Sequence, residues 1–192
     1  GRREFTPVII FLLLGFLMSM LGVLLNSNNP VPFSETSDAQ TYLLRGEALY
    51  RGSLDVLSYN HQYWGYYFTL AALYATSIGW FFYVLSASLL NFIAFAVLYI
   101  VLIEWYAKNI KQSMSPMYWY VIFFNPGVFL VGIASTRDSL ITLLTVVSIV
   151  SAYNQILGQR NIASVLLFIS STTLLVFFRT NFVYIIILAT VS

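Results

Sequence analysis

Of 192 residues, 59% are hydrophobic and only 8% are charged, and the mean hydropathy is +0.82. Soluble domains carry about a quarter of their residues as charges, so a water-soluble fold is excluded and the bilayer is the solvent. Nine scattered basic residues and a net charge of +2 exclude a nucleic-acid surface, while the absence of cysteine and the single histidine, His61, exclude disulfide frameworks and thiolate or His-rich metal centres.

The first apolar run, Pro7 to Leu25, follows Arg2 and Arg3 and has the length of a membrane-crossing helix. It is longer than a secretory signal core, and no small-x-small cleavage site precedes Asn26, so it reads as an uncleaved first helix with a cytoplasmic N-terminus. Residues 26–62 are the one long polar stretch and hold Glu35, Asp38, Glu47 and Asp55 of the seven acidic residues. Pro30 and Pro32 predict extended chain over Asn26 to Ser34. Ser37-Asp38-Ala39-Gln40 fits a capping box and predicts a helix from Asp38 to Tyr50 along the membrane surface. Its apolar contacts are Tyr42, Leu43 and Leu49, and its polar ones Arg45, Glu47 and Arg51.

The aromatic segment Tyr63 to Trp80 either crosses the membrane or lies in its interface as part of the outer loop, which then covers residues 26–80. Runs of membrane length follow at Phe81 to Trp105, Met117 to Ala134, Leu140 to Ile156 and Ile162 to Phe178, and another begins at Phe182. This last run reaches Ser192 incomplete, which predicts one transmembrane domain forming the N-terminal part of a larger helical module. Asn125-Pro126-Gly127 predicts a kink within its run. The fold expected is all-α: a polytopic transmembrane helical bundle whose outer loop carries amphipathic juxtamembrane helices.

The interfacial alternative for Tyr63 to Trp80 is favoured, because it puts the basic loop at Lys108 and Lys111 in the cytoplasm, together with Arg160. The turn Ser135-Thr136-Arg137-Asp138 and the break Arg179-Thr180-Asn181 then emerge on the non-cytoplasmic face with the outer loop. If the segment crosses instead, this site is divided.

Charges this close to hydrocarbon face a partner or a cavity. Arg137 and Asp138 either pair with each other or snorkel to headgroups, or they form an anion site in which Arg137 grips a phosphate bidentately. Arg179 needs an anionic neighbour, whether a lipid phosphate, Asp38 or Asp138. Asp38 is either a helix-start carboxylate or a general base whose pKa is raised by its apolar surroundings. His61 makes interfacial hydrogen bonds or a substrate contact. Glu104 is expected to form an interfacial ion pair near Lys108.

Ser37-Asp38-Ala39-Gln40-Thr41-Tyr42, Gly46, Gly52, Gly65-Tyr66-Tyr67-Phe68 through Tyr74, Asn125-Pro126 and Thr136-Arg137-Asp138-Ser139-Leu140 together resemble the N-terminal module of the polytopic C-type glycosyltransferase superfamily. That family includes protein mannosyltransferases and lipid A aminoarabinose transferases. The resemblance covers roughly residues 7 to 180. It departs from the family where many members have two adjacent acids, since the acid nearest Asp38 is Glu35, and where a Pro-Pro or Pro-Gly precedes the aromatic helix.

The resemblance implies transfer of a sugar from a polyprenyl-phosphate carrier at the outer face, which is periplasmic, extracellular or lumenal. Asp38 would be the base, Arg137 and Arg179 would stabilise the leaving phosphate, and Tyr42 or Tyr66 would shape the sugar pocket, with Asp138, His61 and Glu35 as further substrate contacts. No cofactor is assigned; a divalent metal stays open as an alternative. Partners implied are the lipid-linked sugar, the bilayer and further membrane subunits. Competing readings are an envelope polysaccharide polymerase and a structural subunit of a membrane complex; a transporter is disfavoured, because no acidic residue lies mid-span.

Overall fold

A computed structural model of the protein describes residues 6–25, 38–55, 61–110, 120–121, 124–133, 136–156 and 161–191. Among the described residues the chain is all-helical, with α1 Thr6–Leu25, α2 Asp38–Tyr50, a 3₁₀ turn His61–Tyr63, α3 Trp64–Thr76, α4 Gly79–Ile110, α5 Pro126–Ile133, α6 Asp138–Ile156 and α7 Ile162–Val191. Among the described residues four stretches are long and apolar enough to cross a membrane: Thr6–Leu24, Gly79–Asn109, Asp138–Ile156 and Ile162–Arg179.

Side-chain pairings fix the helix directions. α1 runs antiparallel to α4, with Phe11 meeting Tyr99 at 6.1 Å between ring centroids and Ser19 sharing a 2.6 Å hydroxyl hydrogen bond with Ser88. α6 runs parallel to α4, since Asn91 contacts Ser139 at one end and Trp105 contacts Tyr153 (5.5 Å) at the other. α7 returns antiparallel to α6 through a 2.7 Å bond between the Ser148 and Ser171 hydroxyls and a 3.3 Å bond from Gln155 Nε2 to Ser164 O. Small hydroxyl residues at such seams let helices approach closely and hydrogen-bond across an interface that lipid cannot help to drive together. The C-terminal end of α1, the starts of α4 and α6, and Phe178 of α7 therefore meet at one end of the bundle. We call this the tyrosine end, and the opposite one, at Trp105 and Tyr153, the tryptophan end.

Of the chain between α1 and α4, the described parts, α2, the 3₁₀ turn and α3, pack at the tyrosine end. α2 has the expected bounds, and a Schellman-type closure ends it: Ser53 N donates to Ala48 O (2.9 Å) and Gly52 N to Leu49 O (3.1 Å), with Gly52 at φ 69. α3 has 13 residues, about 20 Å at ~1.5 Å per residue, short of the ~30 Å hydrocarbon core. The chain then reverses at Ser77–Ile78 and Gly79, whose φ of 82 suits only glycine, and Trp80 already belongs to α4. Tyr63 to Trp80 is thus a short helix and a turn rather than one helix running the length of the bundle.

The interruption expected at Asn125-Pro126-Gly127 is present: Tyr120 and Val121 are helical and Phe124 N donates to Tyr120 O (2.9 Å) before it, and α5 starts after it, where the Asn125 side-chain oxygen accepts from Gly127 N (2.8 Å) and proline stands at the first helical position, where its missing donor costs nothing. Among the described residues the run expected over Met117 to Ala134 accordingly contains the 8-residue α5. The break expected at Arg179 is present as well: the helical stretches on either side of it, taken together as α7, meet at a kink where Arg179 leaves helical geometry (φ −169, ψ 93). The readings placed on Arg2, Arg3, 26–37, Lys111, Ser135 and Arg160 lie outside the described residues.

Candidate functional site

Arg137 sits just before α6, and its carbonyl accepts the first helical hydrogen bond, from Ile141 N at 3.1 Å. Asp138 follows in the first turn, where the helix dipole favours a carboxylate. Although the neighbouring position is exposed, the Arg137 side chain is only 9% exposed. Its Nη1 donates to Gln62 O and to Phe178 O, both at 3.0 Å. Its guanidinium carbon lies 4.2 Å from the centre of the Tyr63 ring and 5.8 Å from that of Tyr42.

Phe178 O is the last carbonyl before the bend at Arg179, at the negative end of the first part of α7. The bend frees this carbonyl from the helix ladder, and Arg137 takes the place of the missing donor. A buried cation needs this much compensation: two carbonyls, a dipole end and two aromatic faces.

A second polar node supports the first. Asn91, fully buried in α4, holds the backbone of Thr136 from both sides: its Nδ2 donates to Thr136 O (2.9 Å), its Oδ1 accepts from Thr136 N (3.3 Å), and it also contacts Ser139 Oγ. The amide orientation is the one its neighbours' donors and acceptors require. Beside it, Thr136 Oγ1 is buried and makes no hydrogen bond among the described residues.

Asp138 and Arg179 form the accessible part of the site, as an ion pair at 3.9 Å with side chains 58% and 43% exposed. Such a pair is worth no more than about 1 kcal/mol. Tyr42 and Tyr66 pack edge-to-face at 5.4 Å, and Tyr66 lies 6.5 Å from Phe178. Burial holds the Tyr66 phenol well above its ordinary range, and Tyr83, Tyr42 and Asp138 push it further in the same direction. His61 is exposed and opens the 3₁₀ turn whose Gln62 and Tyr63 hold Arg137. Asp38 opens α2 one turn before Tyr42; its side chain, and Glu35 entirely, lie outside the described residues.

Tyr42, Tyr66, Arg137, Asp138, Arg179 and the turn carrying His61 are therefore together at the tyrosine end. Sequence reasoning missed Asn91 and Tyr63. An amide inside an apolar run is a signal of the first; for Tyr63 the signal was diluted by the surrounding tyrosines. Among the described residues no group of three or more His, Asp or Glu is placed to hold a metal. Glu104 and Lys108 do not form the expected ion pair; both line a cavity at the tryptophan end.

Close by, α2 is fastened to α3 and α4. Arg45 Nη1 donates to Tyr67 Oη (2.6 Å), Tyr83 Oη donates to Leu43 O (2.9 Å), and Tyr74 Oη donates to Glu47 (3.0 Å) while accepting from Arg51 (2.9 Å). Gly46 permits this closeness: a Cβ there would lie 2.5 Å from Tyr83 Oη and 2.6 Å from Leu70 Cβ.

Apolar helices of crossing length, a nearly charge-free middle and polar groups gathered at one end define a multi-pass helical membrane protein. No protein-family model, curated protein or solved structure matches the chain.

Proposed function

We propose that the chain is the membrane-embedded module of a glycosyltransferase that moves a sugar from a polyprenyl-phosphate donor to an acceptor at the non-cytoplasmic face. One observation carries this reading: a loose, half-exposed Arg179–Asp138 pair stands beside the buried Arg137 cation at one end of an apolar bundle. A lipid-borne phosphate reaches such a site by lateral diffusion. It displaces Asp138 from Arg179 at small cost, because an exposed pair at this distance is weak and a guanidinium binds phosphate bidentately.

In the reaction the bond between the anomeric carbon and the carrier phosphate breaks, and a bond from the acceptor oxygen to that carbon forms. Asp38 takes the acceptor proton, Arg179 receives the charge left on the phosphate, and Arg137 keeps the bend of α7 in place. His61 and Glu35 are the sugar contacts of this reading, and the buried Tyr42 and Tyr66 shape the pocket from behind. Replacing Asp38 with Asn in the purified, folded protein is expected to abolish transfer from a polyprenyl-linked donor; undiminished transfer removes Asp38 from the mechanism. If Arg179 proves essential and Asp38 does not, a polysaccharide polymerase holding lipid pyrophosphates becomes the better reading.

The burial of Arg137 against two carbonyls favours a second reading, a non-enzymatic subunit of a membrane complex. There, Arg179→Gln would change assembly with other subunits and leave no transfer activity to lose.

A further inference from the structure

No Asp, Glu, Lys or Arg stands between Asp55 and Glu104, so α3, the turn at Ser77–Ile78 and the first turns of α4 form an elbow without charge. One side of the elbow is buried, with Tyr66, Tyr67, Leu70, Tyr83 and Val84 in the tyrosine core. The other is bare. Phe68, Ala72 and Ala75 form an exposed stripe at helical spacing on α3, Ile78 is 86% exposed at the turn, and Phe82 is exposed on α4. Exposed apolar surface gathered in one place marks contact with something other than water.

The axial register of the bundle says what that is. Ser19 Oγ meets Ser88 Oγ at 2.6 Å, and α1 and α4 run antiparallel. Ser19 to Leu24 on α1 and Ser88 to Tyr83 on α4 are equal steps toward the tyrosine end, and Leu24 closes the crossing stretch of α1. Leu17, Leu21 and Leu24 are exposed, and an uncharged crossing helix holds such residues in hydrocarbon. Phe82 therefore stands at the depth of the last α1 leucine, and Ile78 about one turn farther out.

We propose that the elbow is sunk in the leaflet at the tyrosine end, with Phe68, Ile78 and Phe82 against lipid acyl chains and the backbone of the turn at the headgroup boundary, where open carbonyls find water. The hydroxyls of the elbow point the same way. Thr69 Oγ1 donates to Gly65 O (2.7 Å), Thr76 Oγ1 to Leu73 O (3.0 Å) and Ser77 Oγ to Leu73 O (2.7 Å), and Thr76 turns back in this way from an exposed position. A hydroxyl that faces lipid has only its own helix to bond. One consequence concerns the polar residues: Asn91, which bonds Thr136 and contacts Ser139, lies about 12 Å farther along α4 than Tyr83, at ~1.5 Å per residue. Immersion of the elbow thus puts the start of α6 below the headgroup boundary, and the Asp138–Arg179 pair in a recess of the leaflet.

The proposal is independent of the transfer reading, and its test reads no transfer. The chain has no cysteine, so F68C, F82C, L13C and D55C each carry a single nitroxide label in the full chain, reconstituted in phosphatidylcholine vesicles. All four positions are exposed, and thermal midpoints in detergent check that the variants fold. Leu13, midway along α1, reports acyl chains, and Asp55 reports water. Collisions of each label with oxygen, which concentrates in hydrocarbon, are compared with collisions with a water-soluble nickel chelate. The oxygen-to-nickel ratio at F68C and F82C is expected to lie several-fold above that at D55C, on the side of L13C. A ratio at either position equal to that at D55C overturns the proposal. Loss of both kinds of collision, which a second copy or another membrane subunit seated on the elbow would cause, overturns it as well.

Discussion

The two buried clusters of this bundle are built by different rules. At the tyrosine end the core includes four buried tyrosines, Tyr42, Tyr66, Tyr67 and Tyr83, and polar contacts help to orient them: Arg45 to Tyr67, Tyr83 to the Leu43 carbonyl, Arg137 over Tyr63 and Tyr42. Farther along, Phe11, Phe92, Phe95 and Ile133 form a core with few polar handles. There, fit comes from glycine: a Cβ on Gly15 would lie 2.5 Å from the Phe92 ring, and one on Gly132 2.7 Å from it. One cluster joins helices by shape alone and the other by shape plus directed bonds. The second also holds a buried cation, Arg137, beside an exposed ion pair, so it is where we place the chemistry.

The largest expected effect lies in the phenylalanine cluster. Phe92→Ala removes a fully buried ring wedged between α1 and α5 and should cost about 3–5 kcal/mol, read as a lowered unfolding midpoint in detergent. Because this cluster holds no site residue, activity per folded molecule should survive, and loss of both together would break the division between the two cores. Next is Arg137→Met, which leaves Phe178 O and Gln62 O without their donor. A cost of about 2–3 kcal/mol follows from unsatisfied buried acceptors, and amide exchange should rise first around the bend of α7 and the 61–63 turn. Uniform loosening of the whole chain would show that the clamp is not local.

How much of this was legible beforehand varied with the kind of signal. The α2 boundaries came from a capping pattern, and the run expected over Leu140 to Ile156 from its apolar length; both signals are local, and the second helix starts two residues earlier, at Asp138. The interruption at Asn125-Pro126-Gly127 was legible because proline and glycine punctuate a helix, while the helix start that follows it depends on the Asn125 side-chain bond to Gly127 N. Arg137 illustrates a different limit. Its residue type and its neighbours announced a buried cation, but its partners are two main-chain carbonyls 75 and 41 residues away, and backbone carbonyls leave no mark in a sequence. Asn91 and the Ser19–Ser88 pair belong to the same class of long-range contact.

The smallest expected effect is confined to alkaline solution and distinguishes the two clusters directly. Tyr66 is fully buried, and its phenol is held well above the usual value, first by burial and then by Tyr83, Tyr42 and Asp138. The unfolded chain releases this proton at about pH 10, whereas the folded chain keeps it. Above that pH the folded state binds more protons than the unfolded one, so stability falls as pH rises, by up to about 1.4 kcal/mol per pH unit for one group. Below it, the full contribution is present. Tyr66→Phe keeps the ring and has no proton to lose, so its unfolding midpoint should decline less steeply than that of the parent above pH 10, with the two curves parallel at neutral pH. The same base treatment should leave the phenylalanine cluster's protection against amide exchange intact until the tyrosine end has opened. Parallel curves throughout the alkaline range would mean that the tyrosine core admits water, and that its difference from the phenylalanine core lies in bonding geometry and not in dryness.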